Sequence, residues 1–411
     1  MSVEAAGSIL EQAEGIKQQL LQRLEIATSA TQEIEDVPFE VLPGGANLTE
    51  HELATEDDLA AIVDVNVVAK TSIVSARMVQ NEVPITKLAA RTTELGQSVA
   101  EAILDKKDDR LLVIAGPCSV HDPEEFFTYA EWLKEQRERF ADDLEIIVRA
   151  YFEKPRSAVG WPGFLYDPRM DDSHDINLGV IASRMVARRV AEMGIPTATE
   201  RLNPTDIPVF FNGLITYDAI GARNVTDQAA RKYASATSSV VGLKNPLDGT
   251  IEPARDAIIV ANSGNQFIGS DMDGGYAKVE SSGNPYAHLI LRGGADGPNY
   301  GPEHVVKAVN TLQLKGLLSS IVVDCSHGNS GKNPDRQIEV AKSLAAQLAG
   351  GQHHIVGAMV ESYLQHGNQN IAPRHQLKDG ISVTDACADL GQTGEILKVL
   401  ASGVRARRLA A

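Results

Sequence analysis

Cysteine is scarce: 411 residues contain three, Cys118, Cys325 and Cys387. Three cannot build a disulfide framework, so a reducing cytoplasmic location is the expectation. No apolar run approaches the roughly 18 residues that a membrane helix needs. The start, Met1-Ser2-Val3-Glu4, lacks the basic-then-apolar order of a secretion signal. Positive charge is also short, with 38 Lys and Arg against 55 Asp and Glu and a net charge of −17. A nucleic-acid backbone demands a basic face, so neither nucleic acid nor a membrane is an expected partner. The deficit is uneven. Residues 1–60 hold 13 acidic and 2 basic residues; the rest hold 42 and 36.

What is present is an ordinary globular composition, 43% hydrophobic and 23% charged. Three regions follow. Residues 1–60 form an acidic arm, in which Ile9, Ala13, Ile16, Leu20 and Leu24 recur at helical spacing. That predicts an amphipathic helix over 8–28, docked on its own domain or serving an oligomer contact, then a linker over 29–58. Residues 61–110 show helical periodicity, beginning near 59 and ending by 108. From 111 to 411 the texture changes. Apolar runs at 111–115, 144–148, 195–199, 218–220, 240–243, 288–291, 321–323 and 355–360 alternate with helical stretches. Buried strands joined by helices read as a parallel sheet, and eight units of this length predict a (β/α)8 (TIM) barrel. An extra pair of runs around Asp273-Gly274-Gly275 predicts an inserted β-hairpin.

The residues after each strand carry the functional signal. In order they are Cys118, Arg149, Glu200, Arg223, Lys244, Arg292, His327 and Glu361. In such a barrel these ends converge on one mouth. One subset is basic: Arg149, Lys154, Arg156, Arg223, Lys244 and Arg292. Six cations exceed the need of one carboxylate and suit two phosphorylated ligands or a bisphosphate. Glycines at Gly221-Ala222-Arg223 and Arg292-Gly293-Gly294 let backbone N–H groups approach phosphate. A second subset, Cys118, His327, Glu361 and Asp385, mixes soft and hard donors. It suits Mn2+, Fe2+, Co2+ or Zn2+ better than Mg2+ or Ca2+. Cys325 and Cys387 read as structural, and His353 and His354 lie at the opposite end of the barrel.

Gly116-Pro117-Cys118-Ser119, Lys154-Pro155-Arg156-Ser157, Gly160-Trp161, Ala219-Ile220-Gly221-Ala222-Arg223, Leu291-Arg292-Gly293-Gly294, Asp324-Cys325-Ser326-His327, Met359-Val360-Glu361-Ser362 and Thr384-Asp385-Ala386-Cys387 occur in this order. The set resembles type I 3-deoxy-D-arabino-heptulosonate 7-phosphate (DAHP) synthase, of the branch regulated by aromatic amino acids, from about residue 62 to Arg408. The resemblance implies condensation of phosphoenolpyruvate with erythrose 4-phosphate, releasing phosphate, at the entry to the shikimate pathway. It also implies a metal on Cys118, His327, Glu361 and Asp385. Arg149, Lys154, Arg223, Lys244 and Arg292 would hold phosphoenolpyruvate, with Glu200, Gly221 and Ala222 nearby. Arg156, Ser157 and Asp385 would hold the aldose. Lys154, in a cation cluster expected to depress its pKa, would deliver a proton. A homodimer or homotetramer is expected.

Several positions depart from the family pattern. Pro246-Leu247 follows Lys244-Asn245 where Gly-Thr is usual, Pro162 stands where lysine is common, and Arg201-Leu202-Asn203 follows Glu200 in place of Phe-Leu-Asp. The hairpin also differs. With the stretch around Ser238, the last two regions carry the inhibitor in regulated members. A different aldose acceptor, or a silent sugar-phosphate sensor, therefore stays open beside the main reading.

Overall fold

The eight apolar runs become eight parallel strands, each buried along its whole length: β1 (Leu111–Gly116), β2 (Leu144–Arg149), β3 (Thr197–Arg201), β4 (Tyr217–Ile220), β5 (Val240–Lys244), β8 (Ala287–Leu291), β9 (Ile321–Asp324) and β10 (Ile355–Glu361). In this computed structural model, which describes residues 8–31, 59–203 and 207–410 (backbone only for 26–31), they close in the order β1-β10-β9-β8-β5-β4-β3-β2. The expected barrel is therefore present.

Strand alternation divides the core. Leu111, Val113 and Ala115 of β1 face the helices, while Leu112 and Ile114 join Ile147, Tyr217, Ile290, Val322 and Met359 inside the barrel. Each buried aliphatic side chain contributes about 1.5–3 kcal/mol, so closure rests on this double-sided burial. The surrounding helices include α4 (Pro123–Arg139), α5 (Ile176–Glu192), α6 (Gln228–Ala234), α7 (Glu252–Asn262), α8 (Pro302–Gln313), α10 (Gln337–Ala349) and α11 (Leu390–Ala410). Their starts are chemically marked. Asp122 accepts from the Glu124 and Glu125 amides ahead of Pro123, and Asp175 accepts from Leu178 N. Between β3 and β4 the described chain forms a 3-10 turn (Ile207–Phe211). A four-residue helix, α9 (His327–Ser330), follows β9.

The expected hairpin is β6 (Gln266–Ser270) and β7 (Tyr276–Glu280), paired antiparallel. Asp271 shapes its tip by accepting from Asp273 N and Gly275 N, both at 2.9 Å.

The N-terminal helix is α1 (Ile9–Thr31), which buries Ile9, Ala13 and Leu20 and packs on α5. Of its two expected uses, docking on its own domain is the one seen. Most of the expected linker, residues 32–58, lies outside the described residues. The expectation of helix from residue 59 holds in part. Leu59 and Ala60 are helical, 61–75 holds turns and irregular chain, and helix resumes with α2 (Ala76–Glu82), capped by Ser75, and α3 (Lys87–Leu104), capped by Thr86. The reason is composition. Ile62, Val63, Val65, Val67 and Val68 are all exposed; β-branched side chains disfavour helix, and no neighbour here rewards them with burial. No described helix is long and apolar enough to cross a membrane.

Candidate active site

At the C-terminal mouth the strand ends open into a cavity of about 340 Å3 lined by Arg149, Lys154, Arg156, Ser157, Glu200, Ala222, Arg223, Lys244, Arg292, His327 and Asp385, with Tyr151, Leu247 and Lys332. The structure thus brings all six expected cations to one surface. Gly221 lies just beneath it. A Cβ there would stand 2.1 Å from Glu200 Oε1, so a larger residue would push the Glu200 carboxylate from its place. Cys118 and Glu361 sit at the cavity floor, both buried.

The floor is a dense charge network. The ligand atoms of Cys118, Glu361 and Asp385 all lie within 4.8 Å of one another. Ser326 Oγ donates to Glu361 Oε2 at 2.7 Å, and Gln337 holds the Glu361 backbone at both N–H and C=O. Glu361 Oε1 has no hydrogen bond, although Arg149 Nη2 lies 2.8 Å away and His327 Nε2 3.6 Å away. His327 falls outside the tight three-residue cluster but borders it through Glu361. Its other nitrogen lies 2.9 Å from Asp324 Oδ2, a carboxylate behind an imidazole as in many metal sites. His327 also takes a left-handed φ of +53°, an uncommon conformation for a non-glycine residue. Buried acceptors without hydrogen-bond partners, a thiol, an imidazole and two carboxylates in reach fit a divalent transition metal.

Electrostatics corrects one expectation. The cation cluster predicts a depressed Lys154 pKa, but its nearest neighbours are a cysteine and a carboxylate and not cations. Nζ lies 2.6 Å from Cys118 Sγ and 3.5 Å from Asp385 Oδ2. Burial works against its charge, yet Cys118, Glu361 and Asp385 outweigh burial and hold the ammonium above the ordinary lysine value. Burial, then Glu361, push the Cys118 thiol up to about 11, with Lys154 opposing. Asp385 and Asp324 go the other way. Burial opposes their ionisation, but Lys154 and His327 beside Asp385, and His327 and Lys244 beside Asp324, hold both carboxyls well below the usual range.

Two assigned neighbourhoods meet. Arg223 donates to Ser157 Oγ through Nε at 3.1 Å and Nη2 at 2.7 Å, so the groups expected on either substrate share an edge. The departures are structural as well. Pro162 O accepts from Lys154 N at 2.9 Å, and Pro246 O accepts from Gly249 N at 3.1 Å, closing a turn that presents Leu247 to the cavity.

Sequence reading missed Asp324, Lys332 and an asparagine relay. Lys332 lines the cavity, with Nζ 3.5 Å from Asp385 Oδ1. Asn245 Oδ1 accepts from Arg292 N, Asn299 Oδ1 from Gly293 N and Asn329 Oδ1 from Asn299 N. This fixes the loop that carries Arg292. The available signal was position, since Asp324 ends β9, Asn245 directly follows β5, and the others lie in the segments after β8 and β9. Cys325 and Cys387 are buried outside the three-residue cluster, and His354 lies with Lys106 at the opposite end, as expected.

A (β/α)8 barrel whose mouth gathers six cations over a metal-competent floor is arranged to bind anions. Comparison with known proteins narrows this. Residues 60–398 match the DAHP synthetase I family, and the chain belongs to that family. It is 41% identical over 349 residues to the tyrosine-inhibited phospho-2-dehydro-3-deoxyheptonate aldolase of Schizosaccharomyces pombe, covering 84% of this chain and 94% of that protein. It is 42% identical over 325 residues to the Phe-sensitive enzyme of Escherichia coli K12, covering 79% and 92%. A Trp-sensitive enzyme of Enterobacter agglomerans is 40% identical over 336 residues, covering 82% and 96%. The solved structure of the Francisella tularensis SCHU S4 enzyme superposes with a TM-score of 0.82 at 39% identity, covering 84% of this chain and all of that one. Relatives named for three different inhibitors match almost equally, so overall similarity selects none of them.

Proposed function

We propose that this cavity condenses phosphoenolpyruvate with erythrose 4-phosphate and water to give DAHP and inorganic phosphate, the entry reaction of the shikimate pathway and aromatic amino acid biosynthesis. The observation that carries the reading is the convergence of Arg149, Lys154, Arg156, Arg223, Lys244 and Arg292 on one cavity above Cys118, Glu361 and Asp385. A net charge of −17 makes such a concentration of cations a site for anions.

Cys118, Glu361 and Asp385, with His327 completing the set, are the residues that would hold Mn2+, Fe2+, Co2+ or Zn2+. When bound, such a metal supplies a Lewis acid for the aldehyde carbonyl. The chain's own groups do the rest. Arg149, Lys244, Arg223 and Arg292 bind phosphoenolpyruvate, with Glu200, Gly221 and Ala222 shaping its seat. Arg156 and Ser157 take the aldose phosphate, and Asp385 faces its hydroxyls. Holding two anions side by side lowers the entropy cost of their encounter. The methylene carbon of phosphoenolpyruvate then bonds to the aldehyde carbon. Lys154, fully protonated, hands its proton to the new alkoxide. Water adds at the carbon bearing the phosphate, and C–O cleavage releases inorganic phosphate.

A homodimer or homotetramer is part of this reading, supported by the exposed apolar segment Ile62–Ile73 and the exposed Ile268 and Tyr276 of the hairpin. The test is loss of phosphoenolpyruvate absorbance with metal-loaded protein and a panel of aldoses. Consumption with erythrose 4-phosphate, stopped by chelator, is expected. Turnover only with another aldose would transfer the reading to a different acceptor, with Leu247 and Pro162 as the residues responsible. Silence across the panel would favour a sensor.

A further inference from the structure

Helix α1 lies wholly outside residues 60–398, the part that matches the family, yet it is fastened to that part at three places. Ile9 N donates to Glu124 Oε1 at the start of α4, and Arg23 Nη1 bonds Glu82 of α2 at 2.7 Å. Between them Glu14 and Lys17 enter a four-charge cluster with Arg169 and Asp175. Lys17 Nζ lies 2.7 Å from both Glu14 Oε1 and Asp175 Oδ2, Arg169 Nη1 lies 3.0 Å from Asp175 Oδ2, and Arg169 Nη2 donates to Glu14.

Arg169 belongs to the loop that runs from the end of β2 to α5, the same loop that carries Lys154, Arg156 and Ser157 into the cavity. The loop is internally cross-braced. Trp161 Nε1 donates to Asp167 O at 2.8 Å, and Lys154 N donates to Pro162 O at 2.9 Å. A route that is hydrogen-bonded from α1 to Arg169, from Asp167 to Trp161 and from Pro162 to Lys154, and runs along the chain between those links, thus joins α1 to the segment that carries Arg156 and Ser157. Asp175 closes the far end by capping α5.

We propose that α1 is a strap for the substrate loop and that Arg169 is a positioning residue, setting the placement of Arg156 and Ser157 and so the affinity for the phosphorylated aldose. The proposal rests on the function given above. Its physical content is that a long loop orders at an entropic cost, and a docked helix that pins it beforehand lowers the cost at the moment of binding.

The experiment uses full-length, metal-loaded protein and three variants, Glu14→Gln, Arg169→Met and the two combined, none of which touches the cavity. Each single change is expected to raise KM for erythrose 4-phosphate about fivefold, the limit for a partly exposed ion pair, with kcat and KM for phosphoenolpyruvate held within about twofold. Amide hydrogen exchange across 154–165 accelerates in step. The double variant adds nothing beyond the worse single, because both cut one link, and Arg169→Lys recovers part of the loss. Unchanged KM and unchanged exchange, with a lower melting temperature alone, would reduce α1 to packing and overturn the proposal. If the unmodified protein consumes no erythrose 4-phosphate, the functional reading fails by itself, and exchange across 154–165 still decides the strap.

Discussion

The two ends of the barrel are both crowded with charge, but they use it differently. At the N-terminal end two buried carboxylates are each met by two arginines. Glu145, almost fully buried, accepts from Arg110 at 3.0 Å and from Arg137 at 2.7 Å, while Asp143 takes Arg405 at 2.6 Å and Arg408 at 2.9 Å. These pairs fasten α11 and α4 to the strand starts. At the mouth more of the hydrogen bonding is incomplete. Arg149 Nε and Nη1, Asp324 Oδ2 and Glu361 Oε1 are buried without hydrogen-bond partners. Burial, with Arg223 adding to it, lowers the Arg292 pKa against the pull of Asp324. Asp324 and Glu361 have opposite charges beside them, Arg149 and His327 among them, but buried polar atoms short of hydrogen bonds cost stability, and a bound ligand or metal would supply the missing partners.

The sharpest break in this comparison is Cys118→Ala. Removing the thiol from the floor should cost at least about a thousandfold in turnover, measured as phosphate release, while circular dichroism and the melting curve stay near those of the parent. Turnover close to normal would remove the metal argument. Glu145→Gln is the mirror experiment. It leaves Arg110 and Arg137 short of their anion, so unfolding in urea should show a loss of about 2 kcal/mol, with kcat/KM unchanged.

The barrel interior offers an intermediate case. His288 is fully buried, with Nε2 2.7 Å from Tyr217 OH, and burial pushes its pKa down to about 4, with the Tyr286 carbonyl opposing. The folded state therefore disfavours the protonated ring. Its stability contribution is complete above the unfolded value near 6.5 and is lost as pH falls from there toward 4. Between pH 7 and pH 5 the loss should approach ~2 kcal/mol, and His288→Gln should flatten that part of the profile. The smallest effect belongs to Arg408→Ala, whose partly exposed side chain faces Asp109 and Asp143. Below ~1 kcal/mol is expected, with no change in turnover.

Much of this contrast was legible in the sequence. Buried parallel strands write themselves as short apolar runs, and a barrel places whatever follows them at one mouth. Cys118, Arg149, Glu200, Arg223, Lys244, Arg292, His327 and Glu361 could be read off in order for that reason. The environment of each was less legible. The cations around Lys154 could be counted along the chain, but its pKa depends on distances to Cys118 and Asp385, which come from other strands. Asp324 and Lys332 flank His327 in sequence, but what they touch depends on side chains from other strands and loops. The Asn245, Asn299 and Asn329 relay joins three loops and has no local pattern. Residues 61–73 show the opposite failure, for their apolar spacing suggested helix where the apolar side chains stay exposed.

The most direct test of the central claim is Arg292→Met, compared with the parent by thermal melting with and without phosphoenolpyruvate. A cation disfavoured by its own burial should not be missed by the ligand-free fold. The account predicts equal or higher stability without ligand, and loss of the melting-temperature rise that saturating phosphoenolpyruvate gives the parent. A variant that is clearly less stable yet still stabilised by phosphoenolpyruvate as the parent is would contradict it.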